Sequence, residues 1–111
     1  MTPPATPDAI DTQEALQQLQ ALEQSLHAHI AQRNALQAQL HEIETAHKAL
    51  EKTTEAYRII GNIMVKADAA TLREELSQKK ESTMTRIAAV ERQEKRLRDE
   101  MQGFQDKLLK E

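Results

Sequence analysis

The stretch Tyr57-Arg58-Ile59-Ile60-Gly61-Asn62-Ile63-Met64-Val65-Lys66 decides the fold. β-branched residues cluster here as nowhere else in the 111-residue chain, and Gly61-Asn62 divides the stretch into two arms of four. A glycine at the first central position of a two-residue loop suits a type II′ turn, whose backbone twist matches that of paired strands. Ile-Ile-Gly-Asn-Ile-Met-Val is also poor helix material. The spacing predicts strands at 57–60 and 63–66, with Ile60 opposite Ile63, Ile59 opposite Met64, Arg58 opposite Val65 and Tyr57 opposite Lys66. One face then carries Ile60, Ile63 and Val65, and the other Tyr57, Ile59 and Met64, so both are apolar. A lone two-stranded hairpin is marginal in water and has two open edges. Other chains are therefore expected to cover it, with Tyr57, Ile59, Ile60, Ile63, Met64 and Val65 as oligomerisation residues.

On either side the sequence turns helical. From Thr12 to Thr54 there is neither glycine nor proline. A heptad through this segment places Leu19, Leu22, Leu26, His29, Arg33, Leu36, Leu40, Ile43, His47 and Leu50 on one seam, at alternating spacings of three and four. That narrow stripe is a coiled-coil seam rather than the wider face of a globular helix. After the hairpin, with Asp68 as an N-cap, a second seam reads Leu76, Lys80, Thr83, Ile87, Val90, Glu94, Leu97, Met101, Phe104 and Leu108. Two helices of nearly equal length, joined by a short insert, predict a mainly α fold. It is a long antiparallel two-helix coiled-coil hairpin with a short β-hairpin at the turn. The segments are a disordered tail at 1–11, helix one at 12–54, the oligomerisation hairpin at 57–66 and helix two at 68–109. His47 and Lys80 are expected to face each other as a polar layer.

The helix ends away from the β-hairpin carry a second apolar set: Ile10, Leu16, Leu19, Met101, Phe104, Leu108 and Leu109. Leu16 and Leu109 lie off the seam and are expected to be exposed. Apolar groups at an exposed tip can bind other apolar chains, and Met101 adds an adaptable contact. These seven are the candidate residues for contact with other apolar chains.

Composition excludes much else. Two glycines cannot furnish a phosphate-binding loop, and no GxxxxGK[ST] or GxGxxG is present. With no cysteine there is no disulfide framework, thiolate zinc site or Cys nucleophile. His27 and His29 lie two apart on a helix, so they point away from each other and cannot share one ion. The serines lack a Gly-framed elbow, and an extended helical hairpin offers no concavity in which to tune a carboxylate. No catalytic, cofactor or metal site is expected, and no enzymatic activity. The charge balance, 15 basic against 18 acidic residues, and the interleaving of Arg92, Lys95, Arg96 and Arg98 with acids argue against nucleic-acid binding. No apolar run approaches the roughly 20 residues of a membrane span, and the first residues do not read as a secretory signal. A cytoplasmic location fits.

The chain resembles the prefoldin family, in particular archaeal subunits of its β class. The resemblance covers residues 14–110. It rests on the Tyr57-x-x-x-Gly61-x-x-x-Val65-Lys66 segment set between equal heptad arms, and on the runs Glu74-Glu75-Leu76-Ser-Gln-Lys79-Lys80-Glu81 and Glu91-Arg92-Gln93-Glu94-Lys95-Arg96-Leu97. Asn62 stands where many relatives have proline, and a two-residue turn tolerates either. The resemblance implies a hexamer of two α-class and four β-class subunits whose hairpins form a β-barrel platform. It also implies an ATP-independent holdase that takes unfolded proteins between its arm tips and delivers them to a group II chaperonin. The alternative is a structural coiled-coil tether or spacer, dimerising through its heptads without client binding.

Overall fold

The structure is a computed structural model and describes residues 12–109. The tail at 1–11, with Ile10, lies outside the described residues. The element order is α1 (Thr12–Leu50), β1 (Glu55–Ile60), β2 (Ile63–Asp68) and α2 (Ala69–Leu109).

The β-strands pair antiparallel in the register that a two-residue loop dictates: Ile60 with Ile63, Ile59 with Met64, Arg58 with Val65 and Tyr57 with Lys66. Gly61 has φ +60°, while no other residue described has a positive φ, which is the φ pattern of a type II′ turn. Four boundaries differ from the sequence expectation: the end of α1, the start of β1, the end of β2 and the start of α2. α1 ends at Leu50 rather than Thr54, because the amides of Glu51 and Lys52 turn back onto the carbonyls of Lys48 and Ala49 at 3.3 and 3.4 Å. These tighter i→i−3 bonds close the helix. The strands run two residues further at each base, adding the pairs Glu55–Asp68 and Ala56–Ala67. Asp68 is thus the last strand residue, directly before α2, and its carboxylate accepts the Thr71 hydroxyl at 3.0 Å. An anion there favours the helix dipole.

The chain divides into two compact units. The first joins residues 12–32 of α1 to residues 90–109 of α2. Its interior holds Ala15, Val90 and Glu94, flanked by half-buried Leu19, Leu22, Leu26, Leu97, Met101, Phe104 and Leu108. His29 ties the helices together: Nδ1 donates to the Ser25 carbonyl at 2.7 Å, and Nε2 pairs with the Gln93 side-chain amide at 2.6 Å. The start of α1 therefore lies against the end of α2.

The second unit, residues 33–89, joins the end of α1, the β-hairpin and the start of α2. Leu36, Ile43, Ala56, Ala69, Thr83 and Ile87 are buried here. Every seam position read from the sequence is buried or half-buried in its unit. His47 meets Ser77 at 3.2 Å and Glu51 at 3.5 Å, and Lys80 Nζ lies 3.8 Å from Glu44; His47 and Lys80 line one cleft with these three residues. In both units the helices pack in opposite directions, as a helical hairpin requires.

Candidate functional site

The hairpin is built so that its base is anchored and the rest is bare. Side chains alternate across a strand, so Ala56, Arg58, Ile60, Ile63, Val65 and Ala67 share one face. At the base of that face Ala56 is buried and Ala67 half-buried, so small side chains let it settle inward. Arg58, next along the face, forms an ion pair with Glu75 of α2. Two residues earlier on α2, Arg73 donates from Nη1 to the Leu50 carbonyl at 2.8 Å, satisfying one of the carbonyls that a helix end leaves orphaned. A single turn of α2 thus holds both β1 and the end of α1. A cleft of about 420 Å³ lies beside them, lined by Ala46, Leu50, Tyr57, Leu72 and Leu76 among others.

Beyond this anchor the apolar side chains face water. Val65 is 43% exposed, Ile59 is 71%, and Tyr57, Ile60, Ile63 and Met64 lie between them. All six candidate oligomerisation residues are therefore brought together on one bare hairpin. A soluble monomer rarely leaves so much contiguous apolar surface uncovered.

The second candidate set behaves less uniformly. Leu16 is exposed, and Leu109 is 84% exposed. Leu19, Met101, Phe104 and Leu108 are half-buried seam residues, and Ile10 lies outside the described residues. Phe104 lines a shallow groove of about 370 Å³ with Leu22 and Leu97, and the Lys107 ammonium sits 5.8 Å from its ring centroid. That is within cation–π range.

Among the described residues no group of three or more His, Cys, Asp or Glu is placed to hold a metal ion. His27 pairs with Glu23 at 3.7 Å, while His29 is committed to Ser25 and Gln93. Among the same residues no helix is long and apolar enough to cross a membrane. Sequence reasoning missed the anchoring residues Arg58, Arg73 and Glu75. Their contacts span 17 to 23 positions, so no local pattern announces them. It also missed Met84, an off-seam residue that is half exposed on α2.

Comparison with known proteins agrees with this geometry. The family model described as "Prefoldin subunit" matches residues 13–111. The chain is 39% identical to prefoldin subunit beta of Archaeoglobus fulgidus, covering 86% of this chain and 85% of that protein. It is 35% identical, over the same shares, to the prefoldin subunit beta of Thermococcus onnurineus. Among solved structures, it is similar to the prefoldin beta subunit from Thermococcus strain KS-1, with a TM-score of 0.81, 28% identity and 86% of each chain covered. A β-hairpin set between two paired helices, matched in sequence over nearly the whole chain, shows that it belongs to the prefoldin subunit family, whose members are chaperone components.

Proposed function

We propose that this chain is a β-class subunit of a cytoplasmic prefoldin hexamer, two α-class subunits with four of its own kind, acting as an ATP-independent holdase. In this reading the bare hairpins pair edge to edge into a barrel-like platform, and the helix ends take unfolded proteins and pass them to a group II chaperonin. The observation that carries it is the hairpin, whose six apolar side chains are exposed beyond a base tied to α2. Prefoldin subunits form oligomeric complexes with other prefoldin subunits, which would bury that surface. Holding requires only binding, so a nucleotide loop is unnecessary. Exposed Leu16 and Leu109 supply apolar contact at the helix ends, with half-buried Leu19, Met101, Phe104 and Leu108 behind them and Ile10 preceding α1.

Suppression of citrate synthase aggregation by the assembled complex tests the capture step. Leu16→Ser combined with Leu109→Ser should leave the native mass unchanged and raise the amount of complex needed for half-suppression several-fold. Unchanged suppression would count against capture at these ends.

A further inference from the structure

The hairpin's register fixes which main-chain groups remain free for another strand. In an antiparallel pair, residues directly opposite alternate between those that exchange hydrogen bonds and those that do not. A two-residue turn makes its flanking pair, here Ile60 and Ile63, a bonded one. Arg58–Val65 and Ala56–Ala67 follow as bonded pairs. At Glu55, Tyr57 and Ile59 the amide and carbonyl therefore point outward along the open edge of β1.

These three positions are not equivalent. The Thr53 hydroxyl accepts the Glu55 amide at 3.1 Å and donates to the Glu55 carbonyl at 3.0 Å. One side chain thus mimics a paired strand at Glu55 and satisfies both of its edge groups. Tyr57 and Ile59 have no such cover among the described residues, and both side chains project from the hairpin half exposed or more. Edge strands are commonly blunted against unwanted pairing. Here the blunting covers one position and stops.

We propose that Thr53 is a register stop on the β1 edge. It closes the position at Glu55, so a strand from the hairpin of another prefoldin subunit pairs with β1 only at Tyr57 and Ile59. Thr53 is a positioning residue, acting through the main chain of Glu55. This inference rests on the edge-to-edge assembly reading above and adds to it where pairing must end. Without the stop, a neighbouring strand could slide by two residues and keep the same faces aligned, since side-chain direction repeats every second residue.

Site-resolved amide hydrogen exchange tests it, in the free chain and after assembly with an archaeal α-class prefoldin subunit. In the free wild-type chain the Glu55 amide should exchange at least about tenfold more slowly than those of Tyr57 and Ile59. Thr53→Val, of matching shape, should abolish that difference, and Thr53→Ser should keep it. On assembly, Tyr57 and Ile59 should become protected while Glu55 changes little. In the assembled Thr53→Val protein protection should spread to Glu55. A complex of full mass whose Tyr57 and Ile59 amides exchange as in the free chain would overturn this inference alone, as would a Glu55 amide indifferent to Thr53→Val. A chain that never assembles would overturn the assembly reading and this inference with it.

Discussion

Gly61 and Gly103 differ in what their missing side chain does. Gly61 occupies the turn at φ +60°, where an L-residue's Cβ is crowded by its own backbone. Gly103 lies inside α2, where an added Cβ would meet no atom within 4 Å. Gly61→Ala should therefore weaken the hairpin by about 1–2 kcal/mol, seen as loss of the dispersed strand amide shifts at lower denaturant. Gly103→Ala should stabilise the helices by about 0.5–1 kcal/mol and raise the thermal midpoint. At this scale the sequence was informative where one residue type answers to one backbone demand, as at Gly61. It was silent where a contact depends on chain geometry. The bond from Arg73 to Leu50 exists only because α1 stops at Leu50, and the role of Thr53 exists only because β1 starts two residues later.

The elements themselves were legible to different degrees. Seam positions on both helices could be read because a spacing of three and four keeps one stripe on one side of a helix. The hairpin register followed from the turn, which leaves one pairing possible. Helix ends were misplaced by four residues at Thr54, since the signal that ends α1 is not a glycine or proline. It is a closing pair of i→i−3 bonds and a cap from distant Arg73. Arg73→Met keeps the aliphatic stem and removes the donor to the Leu50 carbonyl. It should lower stability by about 1–2 kcal/mol, read as a lower urea midpoint with an unchanged slope.

For the whole molecule the apolar hairpin dominates. Its side chains were placed correctly from sequence because pairing and alternation fix their faces, yet the anchor that holds the base was invisible. Arg58, Arg73 and Glu75 look like ordinary surface charges, and an exposed ion pair such as Arg58–Glu75 contributes little stability. Its consequence is orientation: with the base held against α2, the apolar remainder of the hairpin stays exposed. Half-buried Leu19, Met101, Phe104 and Leu108 illustrate the converse. Leu16 and Leu109 differ from them already in sequence, because both lie off the heptad seam, and both are exposed. The most direct measurement is native mass by size exclusion with light scattering, after mixing with an archaeal α-class prefoldin subunit. The wild-type chain should elute as a hexamer, whereas Ile60→Asp with Met64→Asp should remain helical by circular dichroism yet unassembled. A hexamer formed equally well by the double variant would contradict the assignment of the hairpin as the assembly surface.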